Sequence, residues 1–215
     1  MSRLTYLHVI TNGKQELREI LPVLQQVVQG GADTIHLREK HRTDKEMEAW
    51  LHAITSVVPK EKVIINERIV LAQVYGCKGV HLGQQAISEI TTSKSKVALA
   101  DQLLGCSIHN MDELHRSMQI RPSYLIAGHI YETKSKPGSP PRGLELLREL
   151  KSILASSYQS IPLLAIGGIK PEHVAHVLEA GADGIAVMST IMEANDPFEM
   201  TKRYKKALDE GRKYA

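Results

Sequence analysis

The feature that most constrains this chain is an eightfold alternation of strand-like and helix-like stretches. Short β-branched runs are each followed by a longer one with helical character: LTYLHVI then KQELREILPVLQQVVQ, TIHLR then DKEMEAWLHAITSVV, KVIIN then RIVLAQVY, GVHLG then ISEITTSK. The second half continues with LLGCS then MDELHRSM, YLIAG then LELLRELKSIL, PLLAIGG then PEHVAHVLEA, and GIAVMS then PFEMTKRYKKALDE. Strands joined through helical crossovers make a parallel sheet. One phrase recurs, as GGADTIHL at 30–37, YGCKGVHL at 75–82 and AGADGIAV at 180–187, each a glycine that ends a helix ahead of a strand. Gly31, Gly76 and Gly181 fall 45 and 105 residues apart. If they precede strands two, four and eight, the unit is roughly 22 to 26 residues, short enough for βα repeats with tight loops.

Eight such units close on themselves, so the expected fold is α/β, a TIM (β/α)8 barrel formed as a single domain over residues 1–215. A doubly wound open sheet is the rival, but no GxGxxG follows the first strand, where the chain reads VITNGKQE. The length of 215 residues suits one large domain better than two small ones. Lys and Arg number 27 against 24 Asp and Glu, and they are scattered. The densest group, KRYKKALDEGRK, is interrupted by acids, as on a solvated helix face, which argues against nucleic acid or a membrane as partner. Cys77 and Cys106 lie in apolar surroundings without CxxC spacing and read as core residues of a reducing compartment. The start MSRLTYLHVITNGK lacks an apolar leader, and no apolar run approaches the roughly 18 residues of a membrane span. The expected location is cytoplasmic.

In such barrels the active site lies at the C-terminal ends of the strands, so the polar residues that follow each apolar run are the candidates. After strand seven come Gly167 and Gly168, and after strand eight Met188 and Ser189, the latter opening a short extra helix. Bare backbone N–H groups at these two neighbouring loops make a phosphate cradle, whereas a lone glycine pair would be only a tight turn. After strand two comes HLREK. Period-two alternation puts His36, Arg38 and Lys40 on one face, with the two cations aimed at the barrel mouth to receive a carboxylate or pyrophosphate, or else paired with barrel carboxylates. His36, mid-strand, reads as a hydrogen-bonded interior histidine. Asn66 after strand three and Gln84 after strand four offer neutral hydrogen bonds to a heterocycle, and Ser107, with His109 beyond it, follows strand five as a further substrate-binding candidate. Glu67 is the carboxylate immediately following strands three to five, and one carboxylate makes a poor magnesium site.

After strand six stands His129, followed by IYETKSKPGSPPRG, a polar loop too long for a turn. Residues 129–143 read as a lid that closes over the site, with Thr133, Ser135 and Lys136 reaching the ligand. His129 is thus the best-placed imidazole of the ten, the alternative being a histidine that only braces the lid.

HLREK, IINER, GVHLGQ, LLGCSIHN, GHIYETKSK, IPLLAIGGI and GADGIAVMSTI, in this order and spacing, make the chain resemble the thiamin phosphate synthase superfamily over nearly its whole length. That superfamily has two branches. In the synthases, carboxylates after strands three and four hold the magnesium that escorts pyrophosphate; here those places carry Glu67 and Gln85 with Ala86, and Ala86 cannot bind a metal. The TenI-like thiazole tautomerases carry a histidine in GH(V/I)(F/Y)ET where synthases commonly have GP(I/V)(Y/F)PT, and GHIYET places His129 and Glu132 with the tautomerases.

The resemblance therefore implies a metal-independent isomerase, without cofactor, that aromatises the thiazole phosphate carboxylate tautomer of thiamin biosynthesis. His129 would move the proton from C2 to the exocyclic carbon. Gly167, Gly168, Met188 and Ser189 would hold the phosphate, and Arg38, Lys40, Ser135 and Lys136 the carboxylate. The alternatives are a thiamin phosphate synthase, which joins a pyrimidine pyrophosphate to the thiazole phosphate, and a non-catalytic regulatory protein. The exposed barrel helices leave room for a homodimer.

Overall fold

In a computed structural model that describes residues 6–93, 101–157 and 161–213, eight parallel strands pair in chain order and close. They are β1 (Tyr6–Ile10), β2 (Thr34–Leu37), β3 (Val63–Asn66), β4 (Gly79–Leu82), β5 (Leu103–Ile108), β6 (Tyr124–Gly128), β7 (Leu163–Ile166) and β8 (Gly184–Val187). The helices between them are α1 (Leu17–Gln29), α2 (Asp44–Thr55), α3 (Ile69–Val74), α4 (Gln84–Ser93), α5 (Met111–Met118), α6 (Gly143–Ser157), α7 (Val174–Glu179), α8 (Ser189–Met192) and α9 (Pro197–Gly211). Closure is made by β8 on β1, with Tyr6 opposite Gly184 and Val9 opposite Val187. The fold is the (β/α)8 barrel expected from the eight units. Leu4 and Thr5 of the expected first strand, and Lys94 at the end of the expected fourth helix, lie outside the described residues.

Local sequence explains where the helices begin. Thr43 caps α2, its hydroxyl accepting from Glu46 N while the Glu46 carboxylate accepts from Thr43 N at 2.7 Å. Asn110 caps α5 through Glu113 N at 2.9 Å, and Asp196 caps α9 through Glu199 N at 2.9 Å ahead of Pro197. Along α1, Ile20, Leu24 and Val27 are buried at helical spacing. The recurring glycines adopt positive φ, +102° at Gly31, +59° at Gly76 and +102° at Gly181, which turns each helix end into the next strand.

Alternation along the strands divides the side chains between two layers. One set meets the helices, with Leu7, Val9, Ile35, Leu37, Val80 and Leu125 fully buried there. The other fills the barrel, where Ile10, Ile64, Tyr124, Ile126, Leu164 and Ala186 pack together. Among them sit three imidazoles. His8 Nδ1 lies 2.9 Å from His36 Nε2, and His81 Nδ1 lies 3.2 Å from Tyr124 Oη. Gly105 admits this group, because a Cβ there would stand 2.1 Å from Cζ of the Tyr124 ring. Cys77 and Cys106 are buried free thiols, raised by burial to about 11 and about 12. Among the described residues no helix is long and apolar enough to cross a membrane.

Candidate active site

The segment between β6 and α6, termed the roof, reaches the residues after β8 and β5, with Ser135 Oγ 3.5 Å from Ser189 Oγ and Lys136 Nζ 3.1 Å from His109 Nε2. Its root is fastened to β7, with Ile130 N donating to Ile166 O at 2.9 Å and Tyr131 N to Gly167 O at 3.0 Å. Its return is fastened to its start, with Arg142 N on His129 O at 2.9 Å and Gly143 N on Ile130 O at 3.0 Å. Between these ends the segment encloses a cavity of about 520 Å³ lined by its own His129, Lys136, Ser139, Pro140, Pro141 and Arg142.

His129 is only 5% exposed, and its Nε2 lies 3.2 Å from Ser139 O. A carbonyl can only accept, so Nε2 carries the proton and Nδ1, buried without a hydrogen-bond partner, keeps a free lone pair. Gly167 and Gly168 lie beside it. Their φ values of +102° and +64° demand glycine, and so does space: a Cβ on Gly167 would stand 2.2 Å from His129 Cβ, and one on Gly168 2.3 Å from Glu132 O. The glycine pair, the root of the roof and His129 therefore form one interlocked unit. Met188 caps the short helix α8, and Ser189 Oγ reaches to 3.5 Å from Ser135 Oγ on the roof.

Cations line the same cavity as His129. Lys136 lines the cavity with Arg142, and burial, with Arg142 and Arg38 adding to it, holds the Lys136 ammonium below the ordinary lysine range. Such a group lacks enough negative charge of its own and is suited to an anion. Arg38 is half-buried, its backbone N–H donating to Thr11 Oγ1 at 2.9 Å. Lys40 is exposed, because β2 ends at Leu37 and the alternation ends with it. Glu39 turns inward, 1% exposed, with its carboxylate 2.6 Å from Thr11 Oγ1.

On the remaining rim, Asn66 Oδ1 is buried without a partner at the end of β3. Ser107 Oγ stands 2.8 Å from His81 Nε2, which ties it to Tyr124 below. Gln84, a candidate for the heterocycle, is spent on the framework: its Nε2 donates to Ser107 O at 2.6 Å and Ser117 Oγ at 3.1 Å, and its Oε1 accepts from Arg116. Sequence reading missed Arg142 and the hydrogen bond of His109 with Glu113. Arg142 is separated from Lys136 by a run of Gly and Pro that gives no periodic signal, while HNMDE carries a capping pattern that absorbs Glu113.

The residues do not fit a magnesium ion. Glu67, at φ +64°, supplies one carboxylate, whose Oε1 lies 2.9 Å from where a Gly83 Cβ would be. Gln85 is exposed and bonded to Glu89 at 3.2 Å, and the Ala86 methyl packs against the core. Among the described residues no cluster of three or more His, Cys, Asp or Glu is arranged to hold a metal. No step is derived through one.

A (β/α)8 barrel with a glycine pair and a cation set at the C-terminal ends of its strands is the architecture of an enzyme for small phosphorylated substrates. The family model described as thiamine monophosphate synthase (TMP-TENI) matches residues 7–191, and the chain belongs to that family. It is 33% identical to the thiamine-phosphate synthase of Chloroflexus aurantiacus over 88% of this chain and 86% of that one. It is 32% identical to that of Natronomonas pharaonis over 89% of each. Among solved structures, the thiamine phosphate pyrophosphorylase from Pyrococcus furiosus superposes with a TM-score of 0.74 at 28% identity, covering 98% of both chains.

These relatives correct the expectation of a thiazole tautomerase, and of an isomerase altogether. They share the whole barrel with this chain and are named as synthases, whereas the tautomerase reading leaned on His129, Glu132 and Ala86 at the rim. Of those three, Glu132 is exposed and Ala86 packs on the core, so neither lines the cavity.

Proposed function

We propose that the chain is a transferase of the thiamine-phosphate synthase kind, joining a pyrimidine that bears a diphosphate to a thiazole phosphate and releasing pyrophosphate. One observation carries the reading: two features suited to anions, a glycine pair and a cation set, lie at one end of the barrel in a chain whose relatives bear that name. Two substrates with two different phosphate groups call for such a pair.

In this reading the backbone at Gly167, Gly168, Met188 and Ser189 takes the monoester phosphate, as glycine-lined barrel loops do. Arg38, Lys136 and Arg142 take the diphosphate, with Lys40 adding charge from outside. Cations there stabilise the negative charge that grows on the leaving diphosphate, which is the largest electrostatic need of such a transfer. Asn66 Oδ1 and the Ser107 hydroxyl meet the heterocycles. Thr133 and Ser135 close over them, and His129 holds the roof shut through Ser139 O, keeping water from the reacting pair. The test is incubation of the purified protein with the pyrimidine diphosphate and the thiazole phosphate, following thiamin phosphate and released pyrophosphate together. Equimolar appearance of both supports the transferase; neither product at saturating substrates overturns it.

A further inference from the structure

Lys136 is fastened from outside the roof. Its Nζ lies 3.1 Å from Nε2 of His109, which follows β5, and His109 Nδ1 lies 2.7 Å from Glu113 Oε2 in the first turn of α5. An ammonium has donors and no acceptor, so Nε2 must accept and the ring proton must sit on Nδ1, where the carboxylate receives it. The tautomer is thus dictated from both sides.

The bland account makes Glu113 a capping residue, and in part it is one. Its Oε2 accepts from His109 N at 2.8 Å, while Asn110 Oδ1 accepts from Glu113 N at 2.9 Å. Capping, however, needs the backbone of His109 and not its ring. The ring instead reaches a lysine 27 residues further along the chain. The groups that face Lys136 are His109 and Glu113 from the α5 side, Arg142 from the roof and Arg38 from beyond β2. Two of the four repel it, and the Glu113–His109 pair opposes them.

We propose that Glu113 and His109 are positioning residues, a bracket that holds Lys136, and the roof with it, closed over the barrel mouth. The inference rests on the transferase reading only for the identity of the anion that Lys136 meets.

Two measurements test it, inorganic pyrophosphate binding by calorimetry and trypsin cleavage of the roof at Lys134. His109→Leu should weaken pyrophosphate binding about 10-fold, the scale of one hydrogen bond to a charged group. Lys136→Ala should weaken it comparably, and the double variant should lose little more, since the two act as one unit. Cleavage at Lys134 should quicken several-fold in His109→Leu, roughly as for an opened loop. Glu113→Gln, which keeps a carbonyl acceptor, should recover most of what Glu113→Ala loses. Losses that multiply in the double variant, or unchanged cleavage in His109→Leu, overturn the bracket. Should the wild-type protein fail to bind pyrophosphate while His109 still protects Lys134, the transferase reading falls and the bracket stands. Should the His109 variant not fold, 15N resonances of the wild-type imidazole decide: a proton on Nδ1 is required, and one on Nε2 alone refutes the proposal.

Discussion

His8 Nδ1 and His36 Nε2 meet 2.9 Å apart inside the barrel, a contact that needs one ring to donate and the other to accept. Burial, with Lys78 and His81 adding to it, pushes His8 down to about 3, and burial alone brings His81 to about 3. Burial first, then His8, His81 and Lys78, holds His36 well below its usual range.

The sign of the pH dependence follows. Below the unfolded value of 6.5 the unfolded chain binds protons that the barrel refuses, so stability is full above 6.5 and is lost as pH falls towards about 3. Each such histidine adds a slope of up to about 1.4 kcal/mol per pH unit. Urea unfolding midpoints measured from pH 5 to 8 are expected to level off above pH 7 and drop steeply below 6. A midpoint unchanged at pH 5 would mean that the imidazoles are wet.

Gly168→Ala should injure the roof and the cradle at once. Its Cβ would stand 2.3 Å from Glu132 O at a backbone φ of +64°, so the root of the roof must shift. A loss of about 1–3 kcal/mol in stability is expected, with a KM for the phosphate monoester raised about 10-fold. Gly143→Ala is the control, with φ +71° and nothing within 4 Å of the added carbon. It should cost about 1 kcal/mol of strain and leave KM alone. Thermal unfolding and steady-state kinetics on both variants separate strain from site damage.

The barrel was legible because its signal is repeated eight times and needs only short-range chemistry: β-branched runs, capping residues and helix-ending glycines. The rim was legible only where position alone decides, as at His129, Ser107, Gly167 and Gly168. Lys40 shows the limit, since period two holds only while the strand lasts, and β2 ends at Leu37. The three imidazoles sit mid-strand on inward positions, but nothing local says that strands one, two and four bring them into contact. Branch assignment failed for a related reason. A motif letter such as Glu132 carries no sign of whether its side chain enters the cavity, and here it faces solvent.

Ala86 sets the metal response. The one carboxylate, Glu67, has no second donor where Ala86 stands, and magnesium binds weakly without several oxygen ligands. Transferase turnover is expected to keep at least about half its rate in EDTA. Ala86→Asp, which returns a carboxylate to that place, should make the rate rise with added magnesium. Both are read from initial rates against metal concentration. A rate abolished by EDTA in the natural sequence would show that substrate phosphates supply the missing ligands.

Arg142 offers the sharpest test of the cation set. It lines the cavity, its backbone is fixed to His129 O at 2.9 Å, and its side chain is exposed, so truncation removes charge without opening the core. A guanidinium that binds a diphosphate contributes charge-assisted hydrogen bonds worth about 1.5–3 kcal/mol, or roughly 10- to 100-fold in affinity. Arg142→Ala should therefore raise KM for the diphosphate substrate by that factor while leaving KM for the thiazole phosphate within about 2-fold, since backbone donors and not the guanidinium hold that phosphate in this reading. Arg142→Lys should fall between, because lysine keeps the charge and loses the fork. An equal rise in both KM values would mean that Arg142 shapes the roof and does not bind the anion, and the two phosphate sites would then have to be reassigned.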